Sequence, residues 1–118
     1  MGKSLQWHCV AASVDELPWQ DNSLCEITVA GRTICLVRNG QTVRACAAKC
    51  PHAGGRIAQG FCSAAGHLVC PLHRYRFDPA TGRNVSGEGY HLRTYPVELR
   101  EEGVFVGLEE AGLFGWFR

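Results

Sequence analysis

At 118 residues the chain has room for one domain and not two, since domains run to roughly 100–200 residues. Hydrophobic residues at 46% and charged residues at 19% match ordinary globular usage and exclude a disordered, collagen-like or charge-driven chain. Twelve basic against eleven acidic residues leave a net charge of +1, which gives no bulk attraction to nucleic acid or to an anionic membrane. No apolar run approaches the roughly 18 residues of a membrane-spanning helix, and the opening Met1–Trp7 lacks the apolar core of a signal peptide. The expected compartment is the cytoplasm, with neither nucleic acid nor membrane as partner.

Short β-branched and aromatic runs, broken by Gly, Asn and Pro and without a sustained 3.6-residue period, predict an all-β chain. In chain order the expected strands are Leu5–Val10, Cys25–Val29, Thr33–Arg38, Thr42–Ala47, His67–Cys70, Arg74–Phe77, Thr94–Arg100 and Val104–Leu108. A short helix is expected over Ser13–Leu17, with Ser13 as N-cap, Glu16 three residues on and Pro18 as its stop. Asn39-Gly40 is the strongest hairpin signal, because both residues accept the positive φ of a type I′ turn. Ala30-Gly31 and Glu102-Gly103 are weaker signals of the same kind. Segments 51–66 and 78–90 are rich in Gly, Ala and Ser, and each follows a Cys/His cluster. They read as loops around a site.

Seven cysteines at positions 9, 25, 35, 46, 50, 62 and 70 form no even framework of the kind that staples small secreted domains. Cys9, Cys25, Cys35, Cys46 and Cys62 have no partner at useful ligand spacing and read as structural thiols. The other two belong to Cys50-Pro51-His52 and, seventeen residues later, Cys70-Pro71-Leu72-His73. Two thiolates and two imidazoles suit a tetrahedral zinc ion, and they equally suit a two-iron cluster in which imidazoles replace two thiolates on one iron. Zinc modules usually bring Cys and His in separate pairs, whereas here each short segment mixes both, which favours a dinuclear centre.

The spacing resembles the signature of Rieske [2Fe–2S] proteins. Cys50-Pro-His-Ala-Gly-Gly55, Gly60-Phe61, Cys70-Pro-Leu-His-Arg-Tyr-Arg-Phe-Asp78, Thr81-Gly82 and Thr94-Tyr95-Pro96-Val97 are similar to the Rieske-type ferredoxins that serve oxygenases. The resemblance covers about residues 4–108. It implies a single domain over 1–118, an antiparallel β-sandwich with a small cluster-binding subdomain inserted at about 44–86. It also implies one [2Fe–2S] cluster, with Cys50 and Cys70 on the inner iron and His52 and His73 on the outer. Gly54, Gly55, Gly60 and Gly66 are expected to let backbone approach the cluster. High-potential members carry a cysteine in each loop, joined as a disulfide, and hydroxyl groups near the sulfurs. The matching positions here are Gly55, Leu72, Tyr75 and Phe77, which implies a potential at the low end of the Rieske range of about −150 to +300 mV.

His8, His67 and His91 are too scattered to form a mononuclear iron site with a carboxylate, and no G-x-G-x-x-G is present. The expected function is therefore one-electron transfer between a reductase and an oxygenase or other redox enzyme, with no catalytic site of its own. Two alternatives stand beside it: a noncatalytic small subunit of a nitrite reductase, and a zinc-stabilised interaction module. Residues 44–83 hold Arg44, Lys49, Arg56, Arg74, Arg76 and Arg83 against Asp78 alone, so a positive pole near the cluster is expected. Arg56, Arg74 and Arg76 are the expected docking residues. The end Leu113-Phe114-Gly115-Trp116-Phe117 is expected to pack as a lid or to meet a partner.

Overall fold

A computed structural model describes residues 5–52 and 54–109; the aromatic C-terminal segment lies outside them. The strands are β1 (Leu5–Ala11), β2 (Leu24–Val29), β3 (Arg32–Asn39), β4 (Thr42–Ala47), β5 (Phe61–Cys62), β6 (Leu68–Val69), β7 (Arg76–Phe77), β8 (Thr94–Tyr95), β9 (Val97–Arg100) and β10 (Gly103–Glu109). They form three antiparallel sheets with the orders β1-β10-β9, β2-β3-β4-β8 and β5-β6-β7.

The run Ile34-Cys35-Leu36-Val37 in β3 is buried throughout, although alternation would normally send every second side chain to solvent. The reason is that the four-stranded sheet is a middle layer. One face gives Ile34 and Leu36, with Cys25, Val43 and Ala45, to a core shared with Val104, Val106 and Leu108 of the β1-β10-β9 sheet. The other gives Cys35, Val37, Cys46 and Leu24 to a second core with Ile57, Leu68, Phe77, Cys50 and Cys70. The expected all-β sandwich is thus present, and the segment between β4 and β8 is laid on its outer face.

Every expected strand has its counterpart, with three differences of detail. The run Thr94–Arg100 divides at Pro96: Thr94 and Tyr95 pair with β4, whereas Val97–Arg100 pair with β10. Proline has no N–H to continue a ladder, so the chain changes sheets there. The expected helix shrinks to a single 3-10 turn at Val14–Glu16, and the Ser13 side chain makes no capping bond. Strand β5 was not expected, because two residues cannot display a period. Turn chemistry is redistributed as well. Asn39 pairs with Thr42, leaving Gly40 and Gln41 at the tip with positive φ at Gly40 alone, the φ signs of a type II′ turn. The I′ signs occur at Ala30 (50°) and Gly31 (79°), where Ala30 accepts a conformation unusual for a side-chain-bearing residue.

Candidate metal centre

Two loops built on the same plan meet at one end of the β5-β6-β7 sheet. In the first, the Cys50 N–H donates to the Gly55 carbonyl at 2.7 Å; in the second, the Cys70 N–H donates to the Tyr75 carbonyl at 2.9 Å. Each cysteine thus closes a six-residue loop with its own backbone. Both thiols are buried against Ile57, Leu68 and Phe77 and lie within hydrogen-bonding reach of one another. Burial first, and the neighbouring Cys50 second, push the Cys70 thiol up to about 11, while the Leu72 N–H donating to its sulfur pulls the other way. Two residues beyond Cys50 and three beyond Cys70, the imidazoles of His52 and His73 face each other with Nδ1 atoms 3.3 Å apart.

The donor set fits two metals better than one. Two nitrogens held about 2.0–2.1 Å from one tetrahedral metal stand ~3.3 Å apart, and the Nδ1 pair has that separation. The sulfurs form a second pair. Among the described residues no three His, Cys, Asp or Glu side chains converge on a single point. Gly55 supplies the room: a Cβ there would lie 3.1 Å from the Cys70 sulfur and 2.9 Å from Leu72 Cγ. Of Gly54, Gly55, Gly60 and Gly66, Gly55 is the one whose added Cβ would meet a candidate ligand sulfur. Gly54 and Gly66 adopt positive φ in open turns, and Gly60 is required elsewhere, since its Cβ would strike the Val69 carbonyl oxygen at 1.9 Å.

A profile of the Rieske [2Fe-2S] domain matches residues 6–96. The chain belongs to the Rieske [2Fe–2S] domain family. The ferredoxin component of a naphthalene 1,2-dioxygenase system from Pseudomonas aeruginosa is 29% identical over 99 residues, spanning 83% of this chain and 92% of that protein. A chain in the solved complex of reduced oxygenase and oxidized ferredoxin in carbazole 1,9a-dioxygenase is 25% identical, covering 88% of this chain and 94% of that one, with a TM-score of 0.73. A candidate NADH-dependent nitrite reductase small subunit from Mycobacterium tuberculosis shares the fold, with a TM-score of 0.76 over 91% of this chain and 98% of that one, at 18% identity. This Rieske protein accordingly takes one [2Fe–2S] cluster and carries electrons. No helix among the described residues is long and apolar enough to cross a membrane.

The surroundings of the Rieske site depart from a simple positive pole. Arg56 is held by Glu26, its Nε donating to Oε2 at 3.0 Å and its terminal nitrogen to Oε1. Glu26 lies on β2, remote in sequence, so the block of basic residues could not reveal this partner. Arg74 is exposed and has no ion pair among the described residues. Arg76 feels Glu88, which lies just past the basic block on a loop that folds back over the site. Asn84 organises that loop: its Nδ2 donates to the Arg76 carbonyl (3.0 Å) and to Glu88 Oε1 (2.9 Å), and its Oδ1 accepts from the Gly89 N–H (2.8 Å). The same loop delivers Tyr90 to His52. Sequence reading missed both Asn84 and Tyr90; the glycines at 87 and 89, which bracket Glu88 with positive φ, were the available sign that the loop turns sharply. The remaining histidines, His8, His67 and His91, share no ring contact with the site.

Proposed function

We propose that Cys50 and Cys70 hold one iron of the cluster and His52 and His73 the other, and that the protein passes single electrons from a reductase to a terminal oxygenase. The observation that carries the assignment is the pairing of donors by kind, two sulfurs together below the surface and two imidazole nitrogens 3.3 Å apart above them. When bound, the cluster supplies one-electron storage. The chain's own residues do the rest. Phe77, Leu68 and Ile57 keep water from the thiol side, and the Leu72 N–H donates to the Cys70 sulfur, which stabilises added negative charge. Phe77 has no hydroxyl to donate, and Gly55 and Leu72 offer no disulfide between the loops, which supports a midpoint below about +100 mV within the Rieske range.

The oxygenase as acceptor rests on the likeness to dioxygenase ferredoxins, one of them solved with its oxygenase; the nitrite reductase subunit shares the fold at lower identity. The cluster-binding unit is the segment of about residues 44–86 within a single domain. Seven cysteines without a disulfide among those described support a reducing compartment, the cytoplasm. Docking falls chiefly to Arg74, since Glu26 offsets Arg56 and Glu88 lies near Arg76. An acidic partner surface would then give electron-transfer rates that decline as salt screens the attraction over about 8–10 Å, and Arg74→Glu would slow reduction without altering the spectrum.

The test is the absorption spectrum of protein purified without air. Wild-type protein and Cys62→Ser should show the visible charge-transfer bands of a cluster, and Cys50→Ser and Cys70→Ser should lack them. Iron, sulfide and colour retained in Cys50→Ser would sink the ligand assignment.

A further inference from the structure

We infer that Tyr75 and Tyr90 make the exposed edge of the site one-sided, covering the His52 imidazole and leaving His73 as the ring that a partner or reagent meets. The inference rests on the ligand assignment above and deepens it, since that assignment treats the two imidazoles alike. Their surroundings are not alike. The Tyr75 ring stacks on His52 with centroids 4.4 Å apart and planes 28° from parallel. Tyr90 lies 5.2 Å from the same imidazole and stacks in turn on Tyr75 at 5.7 Å. His73 has only a tilted contact with Tyr75 at 6.2 Å, besides the His52 edge itself. His52 is half-buried and His73 exposed, and Pro71, Leu72 and Arg74 around His73 are exposed with it.

The backbone explains how neighbours in sequence reach opposite situations. His73 and Arg74 both adopt left-handed conformations, with φ of 62° and 58°, which side-chain-bearing residues seldom do even singly. Two such residues in succession reverse the chain within the loop. They present His73 outward and return Tyr75 across the site to the first loop, where its ring meets His52. Tyr90 completes the cover from a third segment, fixed there by the Asn84 bonds to Arg76, Glu88 and Gly89. Tyr90 remains 38% exposed, so it roofs the group of rings without filling the core, as expected of a cover.

With the two Nδ1 atoms facing each other 3.3 Å apart, Nε2 is the nitrogen left on each ring for a reagent, and diethyl pyrocarbonate reports its accessibility. Cluster-loaded protein is treated briefly, and acylation of each histidine is followed by peptide mass spectrometry, with exposed His91 as an internal standard. His73 should be acylated roughly tenfold faster than His52, the factor that ~1.4 kcal/mol of ring stacking imposes on uncovering. Tyr90→Ala should bring the two rates together, and Tyr75→Phe, which keeps the stack, should preserve the wild-type ratio. Equal rates in wild-type protein, or a ratio untouched by Tyr90→Ala, would overturn the one-sided edge. The visible spectrum of the same samples separates the two readings. Cluster bands with equal rates overturn the cover alone, whereas wild-type protein without bands overturns the ligand assignment and the cover with it.

Discussion

The sandwich and the segment laid on it are held together by different means. In the sandwich, β2, β3 and β4 pair over six residues at each junction, and apolar side chains fill both faces of the middle sheet. In the segment between β4 and β8 the strands β5, β6 and β7 are only two residues long. Three such short strands make a poor sheet by themselves, since ladder bonds and cross-strand pairs accrue with length. The sandwich is thus held by burial along long ladders, whereas the segment between β4 and β8 has short ladders and would gain stability from whatever its thiols and imidazoles bind.

Removing the cluster is the strongest way to break this contrast and has the largest expected effect. After iron and sulfide are stripped, amide protection should collapse in β5–β7 and the two loops, and persist in β2–β4 and β10. Hydrogen exchange followed by mass spectrometry measures both regions in one experiment. Simultaneous loss of protection throughout, or none anywhere, would show that the two regions form one cooperative unit.

The same contrast governs what could be read before the structure was known. Sandwich strands announce themselves because apolar and β-branched residues repeat along them, and the four ligand candidates announce themselves because their spacing is local. Several of the features that were not legible depend on residues far apart in the chain. Glu26 reaches Arg56 from thirty residues away, Tyr90 reaches His52 from a different loop, and Pro96 hands the chain from one sheet to another only because two sheets exist to receive it. The five bystander cysteines show both outcomes. Cys25, Cys35 and Cys46 are core thiols as expected, whereas Cys9 is exposed at a bulge in β1 and Cys62 is partly open.

A smaller effect sharpens the contrast within the segment itself. If Arg74 is held left-handed to present His73, then Arg74→Gly should relieve about 1–2 kcal/mol of backbone strain against about 0.5–1 kcal/mol of added chain entropy. The net gain of ~1 kcal/mol would raise the melting temperature by about 4 °C, with the cluster bands unchanged. The same substitution removes a docking charge, so the protein should become more stable while its reduction by an acidic partner slows. A drop in melting temperature would mean that the guanidinium, and not the backbone, is what the structure needs at this position.

The last effect belongs to the sandwich and appears only in alkali. Burial, with Cys35 nearby, pushes the Cys25 thiol up to about 12, and a thiol–thiol hydrogen bond from Cys46, together with burial, raises Cys35 further. In the unfolded chain such thiols ionise near about pH 8.5. Above that pH the unfolded state therefore binds fewer protons than the folded one, and stability must fall as pH rises. The contribution is whole below about pH 8.5 and is lost progressively towards about pH 12. Urea midpoints of cluster-loaded protein at about pH 7 and about pH 9.5 should differ in that direction. Cys25→Ala lowers both midpoints by leaving a small cavity, but it should reduce the difference between them, because one of the groups that resists ionisation is gone. An undiminished difference would place the alkaline sensitivity outside Cys25, in Cys35 or in the cluster-binding loops, and the two halves of the molecule would then share a weakness that their construction does not suggest.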